Sequence, residues 1–259
     1  YLFFKTRTSI NNYILKKRYK KLERGYLYFV EAMIAIANKD NKNASKSHKK
    51  MNSFLKDDPS LSLLLKSEVY KIEKNHSALS DVYETMIKSK KTEALGYRGL
   101  MEQNLKNQDF HHAFLYGEKL FNINPSIEKL YETLTHIIAK TKNWNQLISI
   151  SDKAYSKKII DKSIVQENKS IALYEVAKIQ SSANIKEAIK SITKAIELKR
   201  NFAPFLNLHL ELIAHSNNLS LLRKMIKKYW YLNANSVFRI LLIKIILDNK
   251  LDDLDFINQ

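Results

Sequence analysis

The chain has 259 residues, 45% of them hydrophobic, with only four Gly and three Pro, so it can bury a large core but has few of the residues that sheet-rich folds use at turns. It has no Cys, which excludes disulfide scaffolds, thiolate zinc sites, iron–sulfur clusters and Cys-x-x-Cys-His haem attachment. The net charge of +18 favours an anionic partner, but only seven of the 44 basic residues are Arg, the residue preferred for bidentate phosphate recognition. This composition predicts an all-α protein.

Residues 1–24 form a basic segment in which eight cations stand against one acid, Glu23. Four apolar residues, 1–4, precede the cations, and aromatic side chains beside Lys and Arg are typical of a bilayer interface. We expect a juxtamembrane segment after a transmembrane helix, because four residues cannot replace the ~20 that span a bilayer; the alternative is a solvated basic helix. The residues expected at an anionic membrane surface are Lys5, Arg7, Lys16, Lys17, Arg18, Lys20, Lys21 and Arg24.

Between residues 40 and 230 one pattern recurs, in which a polar, turn-like pair precedes a small or aliphatic residue near the start of an amphipathic helix. These residues are Ala44, Leu79, Ala113, Leu147, Ala188 and Leu222, at spacings of 35, 34, 34, 41 and 34. A period of 34 with two helices per unit is typical of an α-solenoid. The unit around Ala113 resembles a tetratricopeptide repeat, with matching packing and helix-ending residues at Tyr97, Leu100, Phe110, Leu120 and Pro125.

We therefore predict an all-α, right-handed α-solenoid of about six to seven tetratricopeptide-like helix pairs over residues 25–250, followed by a tail at 251–259. The loops place helices at 9–38, 43–56, 60–73, 76–90, 92–106, 110–122, 126–140, 144–156, 161–181, 184–199, 203–216, 219–231 and 235–248. The spacing of 41 lengthens the helix near 161–181, and we expect that helix to separate two sub-arrays.

The adjacent pair His111 and His112 lies at the start of a second helix of a pair. Neighbouring helical residues point about 100° apart and cannot share a metal ion as residues four apart can, so we predict surface side chains and no metal site. The sequence contains no Gly-rich phosphate loop and no Gly-x-Ser-x-Gly motif. We predict a protein that is not an enzyme.

Several segments together resemble the HemY-type tetratricopeptide proteins of bacteria, which are associated with haem (protoporphyrin) biosynthesis. The basic helix leads into a segment similar to the family's first repeat, "ALGYRGL" at 94–100 looks like its Leu-Gly-x-Arg-Gly-Leu segment, and two Trp residues and a Pro match later segments. The matching residues are Gly25, Ala32, Ala35, Asp40, Ala44, Trp144, Pro204 and Trp230. The family's Pro-His-Pro is absent, since Asn233, Ala234 and Asn235 stand there.

This resemblance implies an inner-membrane protein in or near late haem synthesis, with its repeat domain on the cytoplasmic side and haem-biosynthesis enzymes among its protein partners. It implies no catalytic residues and no obligatory cofactor. The expected function is that of a non-enzymatic scaffold that binds protein partners through a concave surface.

In tetratricopeptide repeats the concave face is lined by the second, fifth, ninth and twelfth residues of each unit, counted so that the small residue is the twentieth. This rule selects Leu64, Glu68, Lys71, Leu95, Arg98, Glu102, Leu105, Glu132, His136, Asn207 and Glu211. Arg98 is the only Arg between Arg24 and Arg200, and Arg is enriched at binding hot spots. An ion pair with Glu102, four residues on, is an equally good explanation of Arg98.

Two alternatives remain. A helical-repeat RNA-binding protein has a similar period, but acidic residues in the predicted groove, such as Glu68 and Glu132, would repel phosphate. Direct haem or porphyrin binding would take an axial ligand such as His136.

Overall fold

A computed structural model describes residues 2–55, 59–232 and 236–251, with side chains from residue 12 onward and, in the last segment, from residue 238. The described residues form thirteen α-helices and no strand. The helices are α1 (Leu2–Ala37), α2 (Asn41–Phe54), α3 (Pro59–Ile72), α4 (His76–Met86), α5 (Glu93–Lys106), α6 (Phe110–Ile123), α7 (Leu130–Thr141), α8 (Trp144–Ser156), α9 (Lys162–Gln180), α10 (Ile185–Leu198), α11 (Ala203–His215), α12 (Leu219–Leu232) and α13 (Ser236–Asp248). The predicted all-α fold of paired helices is confirmed.

The chain divides into two compact units, residues 1–127 and 128–259. The longer helix predicted near 161–181 is present as α9, with 19 residues against 12 to 14 in most of the others. The expectation that α9 separates two sub-arrays is wrong. It packs on both α8 and α10 inside the second unit, which makes it part of a continuous core.

Five of the turns that lead into the second helix of a pair share one conformation. Each contains a residue with a positive φ angle between 54° and 60°, in the left-handed region, followed at once by Asp or Asn. The five dipeptides are Lys39-Asp40, Lys74-Asn75, Gln108-Asp109, Lys142-Asn143 and Asn217-Asn218. At Asp40, Asn75, Asp109 and Asn218 the side chain accepts a hydrogen bond from a backbone N–H of the helix's first turn, at 3.0 to 3.2 Å. This cap satisfies a donor that the helix leaves unpaired and fixes where the helix begins.

The residues that define the 34-residue period all occupy the fourth position of the second helix in their pair. All six are buried. In this position a side chain faces the first helix of the pair, so a small or aliphatic residue lets the two helices approach closely. The predicted repeat therefore contains two recurring features, the Asp or Asn that precedes each second helix and the buried residue at that helix's fourth position.

Each unit has its own core. In the first unit Met51, Leu65 and Met86 are completely buried, and in the second unit Ile192 and Leu206 are. Burial of one such side chain stabilises the fold by roughly 1.5 to 3 kcal/mol. The second unit also holds a polar contact in which the Tyr131 hydroxyl and the Ser151 hydroxyl lie 3.0 Å apart.

Three helix ends differ from the predicted ends by four residues or more, which is longer than one helical turn. Helix α1 begins at Leu2 instead of residue 9. Helix α4 ends at Met86 instead of residue 90, because the Thr92 hydroxyl donates a 2.7 Å hydrogen bond to the Met86 carbonyl and closes the end. Helix α7 begins at Leu130 instead of residue 126, because Lys129 has a left-handed conformation, with φ of 60°, that a helix cannot continue through.

Candidate functional site

In the first unit the predicted groove residues lie on two successive first helices, α3 and α5. Leu64, Glu68 and Lys71 are on α3, and the remaining set, Leu95, Arg98, Glu102 and Leu105, is on α5. Arg98, Glu102 and Lys71 are exposed, and the other four are half-buried. All seven side chains are therefore accessible to a partner, although binding itself stays a prediction.

The charged members of this set form two ion pairs. The Arg98 Nε lies 2.9 Å from the Glu102 Oε1, and the Lys71 Nζ lies 2.6 Å from the Glu68 Oε1. The ion-pair explanation of Arg98 is thus confirmed. Exposed pairs of this kind contribute only about 0.2 to 1 kcal/mol to stability, so both remain available for exchange with a partner's charges.

Tyr83 of α4 joins the two pairs into one cluster, and sequence reasoning missed it. Burial raises the pKa of the Tyr83 phenol, while the nearby Lys71 ammonium acts in the opposite direction. Burial lowers the pKa of Lys71, but the bond to Glu68 and the nearby Tyr83 phenol outweigh burial, so the net pKa is raised. The Glu102 carboxylate also acts on Tyr83. Glu68, Lys71, Tyr83, Arg98 and Glu102 are called the α3–α5 cluster below.

Two glycines of α5 allow Tyr83 to lie there. Gly96 and Gly99 are both buried. A Cβ at Gly96 would lie 2.7 Å from the Tyr83 carbonyl oxygen, and a Cβ at Gly99 would overlap the Tyr83 ring. The two glycines of "ALGYRGL" therefore hold α5 close against α4 and leave the space that the Tyr83 ring fills.

In the second unit the predicted groove residues are split between two helices. Glu132 and His136 are exposed on α7, whereas Asn207 and Glu211 lie on α11. The Asn207 Nδ2 donates a 2.9 Å hydrogen bond to the Glu211 Oε1. Helices α7 and α11 are not among the helix pairs that pack extensively on each other in the described part of this unit.

Asn207 and Glu211 line a groove of about 490 Å³ between α11 and α13. Lys244 and Asp248 of α13 lie across from them, with His215 at one end. The Asn207 Oδ1 is buried and accepts no hydrogen bond from any described residue. We call this the α11–α13 groove; its α13 side was not predicted.

The predicted membrane-surface residues all lie on α1. The side chains of Lys5 and Arg7 are outside the described part of the chain, as are Asn233 to Asn235 and the tail from residue 252. The other six cations, at positions 16, 17, 18, 20, 21 and 24, are exposed. Among the helices that the structure describes, none is both long enough and apolar enough to cross a membrane.

The histidines lie in separate surroundings. His111 and His112 are exposed, and the His112 Nδ1 lies 2.7 Å from the Oδ2 of Asp109, whose Oδ1 caps α6. His209 is buried, with its Nδ1 2.6 Å from the Tyr229 hydroxyl. Over the described residues no three His, Asp or Glu side chains come close enough to hold a metal ion.

No protein-family model matches this chain. Its sequence matches no protein of curated function at a significant level. Among solved structures, Naa15/Naa10 bound to HypK-THB aligns with a TM-score of 0.52 at 15% identity, over 93% of this chain and 38% of that one. The TPR2AB domain of yeast Sti1 in its pHSP90 complex gives 0.40 at 10% identity, over 87% and 98% of the two chains. A tetratricopeptide repeat protein from Parabacteroides merdae gives 0.43 at 12%, over 88% of each.

At such identities a structural likeness concerns the fold alone. The first comparison, in which this chain spans 38% of the other, shows that nearly the whole chain shares a known helical arrangement. Together with the 34-residue period and the buried fourth residue of each second helix, it shows a fold of tetratricopeptide-like helical repeats.

Proposed function

We propose that the protein is a non-enzymatic scaffold that binds segments of partner proteins on the first helices of its repeats. The observation that carries this proposal is the α3–α5 cluster, in which charges of two solvent-accessible ion pairs of opposite direction act on a buried tyrosine. The structurally similar Naa15/Naa10 is a protein assembly that is bound to HypK-THB.

The chemistry of the two surfaces favours a peptide over a nucleic acid. Each presents acidic and basic side chains side by side, Glu68 with Lys71 and Glu211 opposite Lys244. A phosphate backbone would be repelled by the carboxylates, whereas a peptide can pair with side chains of both signs. Burial of Tyr83 beneath the pairs keeps the first surface preorganised, which lowers the entropic cost of binding.

Site-specific photocross-linking in cells tests this proposal. A photoreactive amino acid in place of Leu95 or Leu64, on the groove side of α5 and α3, is expected to capture a discrete partner. In the matched control the photoreactive amino acid replaces Leu115, an exposed apolar residue on α6. Capture of the same partner with equal yield from Leu115 would contradict the proposed surface.

The sequence resemblance to HemY-type proteins supports a finer proposal, in which the partner is an enzyme of late haem synthesis and the protein works at the bacterial inner membrane, with its repeats on the cytoplasmic side. The expected result is that terminal haem-synthesis enzymes are the proteins captured from Leu95 and that loss of the chain raises cellular porphyrin. Capture of unrelated proteins with unchanged porphyrin would leave the scaffold and remove the haem association.

A further inference from the structure

Helix α1 carries an apolar stripe that its own unit does not cover. The stripe consists of Leu15, Tyr19, Leu22, Tyr26, Val30 and Met33, whose side chains are between 38% and 70% exposed. At 100° per residue these six positions fall within about 80° of the helix circumference and extend over about 27 Å. An exposed apolar strip of this length marks an interaction surface.

The stripe is distinct from the face of α1 that packs in the core. Gly25, Ala32 and Ala35 are buried and face α2 and α3, and a Cβ at Gly25 would overlap Leu55. These positions lie roughly 90° or more around the helix from the centre of the stripe. Helix α1 therefore exposes an apolar stripe apart from the face that it uses for folding, and Tyr13, Ile14, Leu27 and Ile34 are also exposed elsewhere around the helix.

Cations lie at the edges of the stripe and on the opposite side of α1. Residues 12–37 hold six Lys and Arg side chains against two carboxylates, Glu23 and Glu31. In the part of α1 whose side chains are described, none of the six cations forms an ion pair. Lys17, Lys20 and Arg24 lie on the side opposite the stripe, while Lys16 and Arg18 lie at its two edges, where a long side chain can reach past an apolar surface to charged groups.

Charge decides between the possible occupants. A second copy of α1 would place its own cations against these, which is unfavourable for a helix with a net positive charge. A nucleic acid would use the cations but leave the stripe exposed. An anionic lipid surface satisfies both, because the stripe inserts below the headgroups while the cations meet lipid phosphates, and the Tyr side chains suit the interface.

We propose that α1 lies in the plane of an anionic membrane, with the stripe inserted and the basic face toward the headgroups. The proposed membrane-binding surface therefore includes the apolar side chains of the stripe as well as the basic residues. It stands on α1 alone, independent of whether the α3–α5 cluster binds a protein.

Vesicle binding by the purified chain tests the proposal, with phosphatidylcholine vesicles compared with vesicles that also contain phosphatidylglycerol. The triple variant Lys17→Gln, Lys20→Gln, Lys21→Gln should weaken binding to the anionic vesicles about 100-fold, at roughly fivefold for each charge lost. The double variant Leu22→Gln, Tyr26→Gln should weaken it about tenfold or more, because inserted apolar area is lost. Tyr26→Trp should show fluorescence quenched by brominated lipid, and Lys20→Trp should not.

Two matched controls come from the second unit. Arg223→Gln, Lys224→Gln, Lys227→Gln removes three exposed cations from α12, and Tyr155→Gln, Ile179→Gln removes two exposed apolar side chains. Both should leave vesicle binding within about twofold of the parent. If the α12 control lost as much vesicle binding as the triple variant of α1, only the total charge would matter and the proposal would be overturned.

Three other results would also overturn it. The double variant could bind vesicles like the parent, with the Tyr26→Trp signal unquenched. The parent could be a dimer in sedimentation that the double variant makes monomeric without changing vesicle binding. The chain could bind an RNA oligonucleotide through α1 and bind neither kind of vesicle.

Discussion

At the scale of the residue, the His209–Tyr229 pair links stability to pH. Burial lowers the pKa of His209 to about 4, with the Lys228 charge acting in the same direction, and burial raises the pKa of Tyr229 to about 12. Both groups are therefore neutral in the fold, and the 2.6 Å bond between them stays neutral near pH 7.

The first prediction is that the free energy of unfolding falls as pH drops from about 6.5 to about 4. In this window the unfolded chain protonates the imidazole at its ordinary pKa of 6.5, whereas the folded chain does so only near 4. The unfolded state thus binds more protons, and stability decreases on acidification by up to about 3 kcal/mol. Urea unfolding across this range measures the slope.

His209→Gln should flatten this slope, since the amide can bond to the Tyr229 hydroxyl without titrating. A smaller slope of the same sign remains, because burial also lowers the pKa of His48. The same substitution at the exposed His136 is the control. An unchanged slope in His209→Gln would contradict the assignment.

Gly96 and Gly99 give a second prediction at this scale. Gly96→Ala should lower the free energy of unfolding by about 2 to 3 kcal/mol, because the new Cβ meets the Tyr83 carbonyl and backbone cannot easily move away. Gly99→Ala should cost less, because it meets the ring end of a side chain that can turn. Adding Tyr83→Leu should restore part of the Gly99→Ala loss and none of the Gly96→Ala loss, as a double-mutant cycle would show. Equal losses of unfolding free energy in Gly96→Ala and Gly99→Ala would contradict the packing of α5 on Tyr83.

At the scale of the element, five of the turns before a second helix use a non-glycine residue in a conformation that favours glycine. Gln108 is exposed and has φ of 60°. Gln108→Gly should therefore raise the free energy of unfolding by about 1 kcal/mol, because the steric cost of a Cβ in the left-handed region disappears.

The control for that substitution is Lys119→Gly in the middle of α6, where φ is helical and the residue is exposed. There glycine should cost about 1 kcal/mol. Denaturant midpoints that move in the same direction for both variants would contradict the assigned turn geometry.

The elements also show how far the sequence could be read. Caps such as Asp109 and buried fourth residues such as Ala113 are local features with a fixed spacing, so helix number and pairing could be predicted. Tyr83 could not be placed, because its position depends on contact between α4 and the glycines of α5. The stripe on α1 follows helical spacing, yet its exposure is decided by which face α2 and α3 cover.

At the scale of the whole molecule, the two compact units divide the candidate surfaces between them. The first unit holds the α3–α5 cluster and the stripe, and the second holds the α11–α13 groove. The division of the chain into a basic segment, repeats and a tail stays a prediction.

The most direct test of the scaffold function is the dissociation constant of the cross-linked partner, measured by calorimetry with a charge-swapped groove. Arg98→Glu, Glu102→Lys keeps the ion pair and the net charge but reverses its direction, and should weaken binding about tenfold or more. The control is Lys190→Glu, Glu187→Lys, which swaps an exposed pair on α10 and should leave the constant unchanged. Equal effects of the two swaps, or none from the first, would contradict binding at the α3–α5 cluster.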